Sequence, residues 1–458
     1  MLLNQARKTN WKQLFVLLLL GSIVCFGVLL YLEKISQELD FPDYPWQLKR
    51  HAEEGKAKEV YLDFFEKEKE KLLFEKSDFL EINLEKMNVS LYKKGELIND
   101  FPVLTKGDPQ NWGGSAVGLY SVVSGNELSY SIVSDVYMPY SLHYYGKYYL
   151  HGQPYYPDGG KLDTPISGGC LRLSDKDAKT IYYEAELGMP VLIIDKEKDD
   201  YKYSFKDISD FPNVSAESYL VADIDSGYVF AEKDSQVQRP LASVTKLMTA
   251  IVVSENIDLR KSIMVQEKML ESYGYTEVLE PGKRFRVVEL FYLLLVESSN
   301  DAAEILSYFL GPQRTIEMMN EKAKTILMEK TSFSDPSGLD PENVSTAQDL
   351  FYLGRYLLNN RPPILEITKG EQVRSFGGIG FDIENLWSKN IFIGDETFIG
   401  GKTGFTKVSK YTSLFLFRFT DKDGKERNIA ITLLGSDDNR SDTQKIYIWL
   451  QKNYFTEG

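Results

Sequence analysis

The sequence has 458 residues, enough for two or three domains, and its 43% hydrophobic and 26% charged residues exclude a largely disordered chain. Its 53 basic and 67 acidic side chains give a net charge of −14, which leaves no basic surplus for binding nucleic acid. With two cysteines and three histidines, the chain cannot be disulfide-rich or an iron–sulfur protein, and a Cys/His zinc site would consume nearly all of them.

The first predicted element is a transmembrane helix in the uncharged apolar run from Leu14 to Leu32. At 1.5 Å per residue the run spans roughly 28 Å, close to the thickness of a bilayer core. Residues 1–13 carry a cluster of Arg and Lys, so the positive-inside rule makes them a cytoplasmic tail. The run is longer than a signal-peptide core, and neither a small-x-small cleavage site nor a lipoprotein site at Cys25 is present. We therefore expect a retained single-pass anchor in the lipid bilayer.

The remaining chain falls into four predicted segments. Residues 33–80 carry Glu and Lys at helical spacing, which predicts a juxtamembrane helical spacer, with a partner-binding helix as the alternative. Residues 81–195 show short β-type runs between glycine turns, which predicts a mainly-β domain. The polar, acidic residues 196–214 predict a flexible linker between domains that need no direct interface. In residues 215–458 a hairpin, long helical patterns and further strands predict an α/β layered domain.

Three short motifs in the α/β domain suggest nucleophilic catalysis by a serine. Ser243 and Lys246 open an apolar helix at positions i and i+3, so the lysine amine can lie against the serine hydroxyl. Ser298-Ser299-Asn300 lies at a helix–loop junction, and Lys402-Thr403-Gly404 opens a strand. A hydroxyl needs a base, and a desolvated lysine crowded by a second lysine can be one. Each motif alone also fits a capped helix or a common turn, but their order favours catalysis.

From about Ser215 to Tyr454 the sequence resembles the low-molecular-mass D-alanyl-D-alanine carboxypeptidases, which are serine penicillin-recognising enzymes. The blocks RPLASVTKLMTA, LLLVESSNDAAEILS, SFSDPSGLD, STAQDL and GGKTGFT carry the resemblance. It implies a β-lactamase/transpeptidase-like α/β fold with Ser243 as the acyl-ester nucleophile and Lys246 as its proton acceptor. The other implied roles are proton relay by Ser298, substrate-amide binding by Asn300, substrate-carboxylate binding by Lys402, Thr403 and Arg440, and an oxyanion hole from the backbone N–H groups of Ser243 and Phe405.

Class A β-lactamases share these three motifs and are the rival enzyme class. They need a glutamate after the second motif to activate the deacylating water. The corresponding stretch, TSFSDPSGLD at 331–340, contains no glutamate. The sequence therefore favours a carboxypeptidase or endopeptidase, for which β-lactams are expected covalent inhibitors.

A second nucleophile is predicted in the mainly-β domain at Cys170, within Ser167-Gly168-Gly169-Cys170-Leu171-Arg172. A free thiol in an oxidising compartment is seldom kept without use, although a small buried side chain is the simpler interpretation. Its base must be one of three histidines, of which His51 lies in the charged spacer. His151, followed by a glycine and nineteen residues before the cysteine, is the best candidate.

Residues from about Glu81 to Asp195 resemble the YkuD-type L,D-transpeptidases, through MPYSLHYYGKYYLHG, the His-to-Cys spacing and SGGCLRL. The resemblance implies that Cys170 is the nucleophile, with its backbone in the oxyanion hole, and that His151 is the general base and acid. It further implies that the Gly152 carbonyl orients the imidazole and that Arg172 supports the cleft or the donor peptide. His143 is interpreted as structural. Gly168 departs from the family, which usually has His or another large residue there.

Together the resemblances imply a bifunctional peptidoglycan-modifying enzyme of the bacterial cell membrane, with both catalytic domains outside. The serine site would trim stem pentapeptides to tetrapeptides, and the cysteine site would cross-link those tetrapeptides. Neither site is expected to need a metal or organic cofactor. The alternative is a carboxypeptidase or endopeptidase whose L,D-transpeptidase-like domain only binds peptidoglycan.

Overall fold

The computed structural model describes residue 62 and residues 65–455, apart from residues 133, 204–209, 271–275, 277, 374–378 and 381–384. The predicted cytoplasmic tail, the anchor Leu14–Leu32 and most of the predicted spacer lie outside these residues. Within the described residues, no helix is both long and apolar enough to cross a bilayer. The chain divides into two compact units, residues 1–58 and 59–458, and the second contains every element described below.

The N-terminal domain is β-rich, as predicted, with two sheets and a short helix that precedes them. Its elements are α1 (Glu66–Phe74), β1 (Phe79–Asn83), β2 (Asn88–Lys93), β3 (Glu96–Pro102), β4 (Gly118–Ser121), β5 (Ser124–Ser131), β6 (Val136–Tyr145), β7 (Tyr148–His151), β8 (Leu171–Arg172), α2 (Asp175–Glu184) and β9 (Pro190–Ile194). One sheet has the strand order β3-β2-β1-β9-β4, and the other has the order β5-β6-β7-β8. The parallel pairing of β7 with β8 sets His151 opposite Arg172, which places the histidine beside the strand that follows Cys170.

The C-terminal domain has the predicted α/β layers. Its elements are β10 (Ser218–Asp223), β11 (Val229–Lys233), β12 (Arg239–Pro240), α3 (Lys246–Asn256), β13 (Ser262–Met264), β14 (Arg284–Arg286), α4 (Val287–Leu295), α5 (Asn300–Ser307), α6 (Pro312–Thr325), β15 (Val344–Ser345), α7 (Ala347–Asn360), α8 (Pro362–Thr368), β16 (Phe398–Thr406), β17 (Lys410–Thr420), β18 (Glu426–Ser436) and α9 (Asn439–Leu450). An antiparallel sheet in the order β11-β10-β18-β17-β16 forms its centre.

Helices cover both faces of this sheet because its strands are apolar on both sides. Along β17, Leu414 and Leu416 join the core that contains α3, α4 and α7, whereas Phe415 and Phe417 join the core under α9. This alternation follows from the two-residue period of a strand. The edge strand β16 lies at the side of the sheet that faces the turn Ala242–Thr245.

The predicted linker 196–214 is not a free tether over its described residues. Asp199 accepts hydrogen bonds from Arg427 (2.8 Å) and Lys425 (2.9 Å), both on or beside β18 of the C-terminal domain. Tyr203 is buried among aromatic rings of that domain, and Asp210 accepts a hydrogen bond from the Trp449 indole at 2.9 Å. Buried aromatic contacts and charged hydrogen bonds therefore hold both described parts of the linker.

The two domains, which were expected to need no direct interface, share one. One hydrophobic core runs from the N-terminal sheets into α3, α4, α6 and α7 of the C-terminal domain. At its edge the Arg355 guanidinium lies 3.1 Å from Asp195, with both side chains almost fully buried. The short β strands of the N-terminal domain leave an apolar surface that the C-terminal helices cover, and burial of that surface joins the domains.

Candidate active sites

The start of α3 positions Ser243 in the C-terminal domain. Residues Ala242–Thr245 form a 3₁₀ turn that leads directly into α3, and Ala242 has a left-handed φ of 47°. The preceding carbonyl, of Leu241, accepts a hydrogen bond of 2.7 Å from the Thr412 hydroxyl on β17. Lys246 Nζ lies 3.0 Å from Ser243 Oγ, as the spacing of the two residues predicts.

Lys246 is arranged to act as a neutral base. Its side chain is fully buried, and Nζ lies 2.7 Å from Asn300 Oδ1 and 2.6 Å from the Ser337 carbonyl oxygen. Burial, helped by the charge of Lys402, holds the Lys246 pKa well below its ordinary value. A neutral amine has two N–H donors for these two oxygens, and its lone pair then remains for the Ser243 hydroxyl.

Ser298 and Asn300 reach the same cleft from the junction of α4 and α5. Ser298 has a left-handed φ of 61°, and Ser299 caps α5 by accepting a hydrogen bond from the Ala302 N–H at 3.1 Å. The cap turns the chain so that both neighbours of Ser299 line the cleft. The cavity has a volume of about 940 Å³, and its lining includes Ser243, Ser298, Asn300, Trp387, Lys389, Thr403, Phe405, Tyr411 and Asn439.

The edge strand β16 forms the opposite wall. A Cβ atom on Gly404 would lie 2.7 Å from the Ser243 backbone nitrogen, so only glycine allows the strand to approach the nucleophile this closely. Lys402 is buried beneath the strand, with Nζ 2.9 Å from the Thr403 carbonyl oxygen. Burial, helped by the charge of Lys389, lowers the pKa of Lys402 to about 7. Phe405, whose backbone N–H is a predicted oxyanion-hole donor, has an exposed side chain at the cleft.

Asn439 is a cleft residue that the sequence analysis missed. Its side-chain amide donates a 2.9 Å hydrogen bond to the Thr403 hydroxyl, and its side chain is buried at the start of α9. The adjacent Arg440, which the resemblance implies as a carboxylate contact, is exposed and is not among the described cleft residues. In the sequence, an asparagine near the start of a helix is most simply interpreted as a helix cap. No local signal therefore assigns Asn439 to the cleft.

His151 in the N-terminal domain is held as a neutral base. It is buried, and its Nδ1–H donates to the Gly152 carbonyl oxygen at 2.6 Å, which assigns the tautomer and leaves Nε2 as the acceptor. Burial, helped by the nearby Arg172 charge, lowers the His151 pKa to about 4. The predicted orienting role of the Gly152 carbonyl is therefore consistent with this geometry.

Cys170 is half-buried beside the turn that joins β6 and β7. Its thiol donates to the Lys147 carbonyl oxygen at 3.7 Å, and among the hydrogen bonds of the described residues none joins it to His151. Burial raises the thiol pKa. The resting site therefore holds a protonated thiol directly before β8 and a neutral imidazole at the end of β7, the strand that pairs with β8.

Arg172 and His143 have structural contacts. Arg172 donates to the Thr164 carbonyl oxygen (3.1 Å) and hydroxyl (3.0 Å), which fastens the loop before Cys170. His143 Nε2 lies 2.8 Å from the Gly146 carbonyl oxygen, and its ring stacks on Tyr149. Gly168 has open space around it, since a Cβ atom there would meet nothing within 4 Å.

Comparison with known proteins finds two families. Residues 206–435 match the peptidase family described as D-alanyl-D-alanine carboxypeptidase, and residues 77–193 match the YkuD L,D-transpeptidase catalytic domain. The first match covers half of the sequence, and the chain belongs to the D-alanyl-D-alanine carboxypeptidase family. Its N-terminal domain is a YkuD domain, so both resemblances drawn from the sequence are confirmed.

The carboxypeptidase domain is similar in sequence to several characterised carboxypeptidases and endopeptidases. The chain is 31% identical to the D-alanyl-D-alanine carboxypeptidase DacB2 of Mycobacterium tuberculosis, over 44% of this chain and 70% of that protein. It is 34% identical to a D-alanyl-D-alanine endopeptidase of Haemophilus influenzae, again over 44% and 70%. For DacF of Bacillus subtilis the identity is 29%, over 47% of this chain and 56% of that protein.

Solved structures also match the chain. A D-alanyl-D-alanine carboxypeptidase from Mycobacterium tuberculosis H37Rv is 26% identical, with 54% of this chain and 96% of that chain covered and a TM-score of 0.46. The ampicillin-bound penicillin-binding protein D2 of Listeria monocytogenes is 27% identical. The match covers 52% of this chain and 98% of that chain, with a TM-score of 0.44.

Proposed function

We propose that this chain is a membrane-anchored, bifunctional peptidoglycan-modifying enzyme of the bacterial envelope. Its C-terminal domain is a serine D-alanyl-D-alanine carboxypeptidase that binds β-lactams, and its N-terminal domain is a cysteine L,D-transpeptidase. The observation that carries the proposal is the position of Lys246, whose buried amine with a lowered pKa lies 3.0 Å from Ser243 Oγ. The Cys170–His151 pair supports the second activity.

In the carboxypeptidase step, Ser243 Oγ adds to the carbonyl carbon of the penultimate D-alanine and its proton passes to Lys246. The bond to the terminal D-alanine breaks, and the leaving amine takes up a proton, with Ser298 as the relay. Water then hydrolyses the ester. Lys402 and Thr403 bind the terminal carboxylate, Asn300 binds the substrate amide, and the backbone N–H groups of Ser243 and Phe405 stabilise the oxyanion.

In the transpeptidase step, the Cys170 thiol turns from the Lys147 carbonyl to His151 Nε2, which takes its proton as sulfur attacks the carbonyl carbon of the third stem residue. The imidazolium passes this proton to the D-alanine amine as the peptide bond breaks. The D-alanine departs, and the rest of the stem peptide stays bound to Cys170 as a thioester. An amine of another stem peptide then attacks the thioester, which forms the cross-link and restores the thiol. The Cys170 backbone N–H stabilises the oxyanion, and Arg172 supports the cleft through its loop contacts.

The two activities form a relay, because trimming a pentapeptide yields the tetrapeptide that the cysteine site accepts. The sites are linked by packed structure rather than by a flexible linker. Helix α3 begins at Lys246 and ends at Asn256 beside the N-terminal domain, a length of about 15 Å at 1.5 Å per residue. Because both sites lie in one compact unit, both can work on one patch of cell wall.

Product analysis of three proteins tests this proposal. With pentapeptide muropeptides, the wild-type chain is expected to form cross-links, Cys170→Ala only to trim, and Ser243→Ala to do neither. With tetrapeptides, Ser243→Ala is expected to cross-link at the wild-type rate. Mass spectrometry of the products separates these outcomes. Labelled penicillin that still acylates the C-terminal domain of Ser243→Ala would disprove the nucleophile assignment.

The same experiment distinguishes the alternative activities. Cleavage of cross-linked dimers by the Ser243 site would identify an endopeptidase, the activity named for the Haemophilus influenzae relative. No cross-linking of tetrapeptides by any of the proteins would leave the YkuD domain as a peptidoglycan-binding module. Rapid hydrolysis of the penicillin ester would instead indicate a β-lactamase.

Anchoring by the apolar run Leu14–Leu32 is part of the proposal. The run is long enough to span a bilayer and basic residues precede it. Fractionation of cells that express the full chain or residues 33–458 tests the anchor. The full chain is expected in the membrane fraction and the truncated chain outside it, and an equal distribution of the two would contradict the proposal.

A further inference from the structure

The turn beside Cys170 is docked on the carboxypeptidase domain. A Cβ atom on Gly146 would lie 2.6 Å from Asn256 Oδ1 at the end of α3. Lys147 Nζ donates to the Ser254 carbonyl oxygen in the same helix turn, at 3.1 Å. The Lys147 carbonyl oxygen is the acceptor for the Cys170 thiol. The C-terminal domain therefore contacts the segment that holds the resting thiol.

Tyr148, the next residue, connects the thiol loop to a buried arginine. Its ring lies against Gly169, since a Cβ atom there would be 2.2 Å from Tyr148 Cε1. Its hydroxyl accepts a hydrogen bond of 2.8 Å from Arg361, which directly follows α7 in the C-terminal domain. Tyr148 and Arg361 are both fully buried, so water cannot replace this bond.

Arg361 also holds the other wall around Gly169. Its second terminal nitrogen donates to the Gly114 carbonyl oxygen at 2.8 Å. The neighbouring Gly113 carbonyl oxygen would lie 3.2 Å from a Cβ atom on Gly169. One guanidinium therefore fixes both segments that enclose the residue before Cys170.

Glu255, at the end of α3, fixes the arginine in turn. Its carboxylate lies 2.9 Å from Arg361, and both side chains are fully buried. The rigid fork of a guanidinium can bind the Tyr148 hydroxyl, the Gly114 carbonyl and this carboxylate together, whereas a lysine ammonium lacks that geometry.

We propose that Arg361 is a positioning residue for Cys170, so that the carboxypeptidase domain supplies part of the framework of the L,D-transpeptidase site. This inference rests on the proposed nucleophilic role of Cys170. Positioning matters because a shift of about 1 Å in a reacting group can cost on the order of a hundredfold in rate. The two domains are then coupled catalytically, beyond the passage of product between them.

The test uses the full chain with Ser243→Ala, so that D-alanine released from a stem tetrapeptide reports only Cys170. Tyr148→Phe and Arg361→Lys are each expected to lower kcat about tenfold with KM within twofold. The double variant should lose little more than the worse single variant, because both act through one contact. Alkylation of Cys170 by iodoacetamide, which needs no such positioning, should proceed at the rate seen for the chain that carries only Ser243→Ala.

Tyr120→Phe is the matched control. The Tyr120 hydroxyl accepts a 2.7 Å hydrogen bond from Lys322 of the C-terminal domain at the same interface, but Tyr120 lies on β4 in the other sheet. The kcat of Tyr120→Phe should stay within twofold of that of the chain that carries only Ser243→Ala. With Ser243 restored, the rate of penicillin acylation should be unchanged in every variant, and if Arg361→Lys fails this check, Tyr148→Phe alone decides.

Two results would overturn the inference. One is an unchanged kcat in Tyr148→Phe, and the other is an equal loss in Tyr148→Phe and Tyr120→Phe. Absence of D-alanine release by the chain that carries only Ser243→Ala would instead overturn the proposed transpeptidase function, and this inference with it.

Discussion

Two buried lysines with different proposed roles serve the carboxypeptidase cleft. Lys246 needs a lone pair for Ser243, and its pKa is well below the ordinary value because of burial and the charge of Lys402. Lys402 needs a proton to bind the substrate carboxylate, and its pKa is about 7 because of burial and the charge of Lys389. A charged Lys402 therefore favours the neutral Lys246 on which acylation depends.

The Lys402 pKa predicts how substrate binding depends on pH. Raising the pH through about 7 removes the ammonium proton of the free enzyme, so KM for a peptide ending in D-alanine carboxylate should rise by up to about tenfold per pH unit between pH 7 and 9. Steady-state kinetics measures this rise. The matched peptide amide, which has no carboxylate, should show little change in KM. A parallel rise for both peptides would show that Lys402 does not bind the carboxylate.

Asn439 and Arg440 form an adjacent test pair. Asn439→Ala removes the hydrogen bond that orients the Thr403 hydroxyl, so KM for the D-alanyl-D-alanine peptide should rise about tenfold, as for the loss of one hydrogen bond to a charged ligand. Arg440→Ala should leave KM within twofold, because the side chain is exposed outside the cleft. The same kinetic assay covers both variants, and the reverse ranking would restore the carboxylate contact implied for Arg440.

At the scale of elements, each proposed nucleophile lies where two segments approach each other too closely for any residue but glycine. In the C-terminal domain, Gly404 on β16 faces the turn that begins α3. In the N-terminal domain, Gly169 lies under the Tyr148 ring with a left-handed φ of 118°. Each glycine allows backbone contact at the site, which is how N–H groups can be aimed at an oxyanion.

Substitution by alanine should destabilise the protein at Gly169 but not at the neighbouring Gly168. Gly169→Ala forces a methyl group into the Tyr148 ring at an unfavourable φ, so the free energy of unfolding should fall by more than about 2 kcal/mol. Gly168→Ala meets open space, so the change should stay within about 0.5 kcal/mol. Urea unfolding measures both values. Equal destabilisation would mean that the loop does not pack against Tyr148.

At the scale of the whole molecule, a buried charge cluster joins the domains. Glu255 lies between Lys322 (3.1 Å) and Arg361 (2.9 Å), and all three side chains are fully buried. Burial opposes the charge on Glu255, but these two cations hold its pKa below the ordinary value. The hydroxyls of Tyr120 and Tyr148, from the N-terminal domain, accept hydrogen bonds from the two cations. These hydrogen bonds form only when the two domains are packed together.

Removing the anion of this cluster should destabilise both domains together. Glu255→Gln leaves two buried cations without a counter-ion, at an expected cost of about 3–5 kcal/mol in the free energy of unfolding. Glu217→Gln is the control, because Glu217 pairs with Arg239 and Lys410 at the surface, where about 1 kcal/mol or less is expected.

The measurement is urea unfolding followed by two probes, penicillin labelling for the C-terminal domain and thiol exposure for the N-terminal domain. In Glu255→Gln both transitions should move together to lower urea concentration. A shift confined to one domain would show that the cluster does not couple them.

Much of each site could be predicted from the sequence because its key pairs are local. Ser243 and Lys246 are one helix turn apart. The glycine after His151 and the glycines before Cys170 predict that backbone groups contact the site. The layered fold followed from periodicity. Alternating residues of β17 enter two cores, and apolar helices cover them.

The tertiary structure alone decided which distant residues complete the sites. Arg361 and Tyr148 are 213 positions apart, and Asn439 and Thr403 are 36 apart. Periodicity and capping rules describe neighbours along the chain, so neither pair leaves a signal in the sequence. The linker was misread for the same reason, since a polar, acidic segment looks flexible until Arg427 and Lys425 on the facing strand are known. The sequence by itself thus identified the two families and predicted a nucleophile for each, and long-range packing decided that the two domains share one interface.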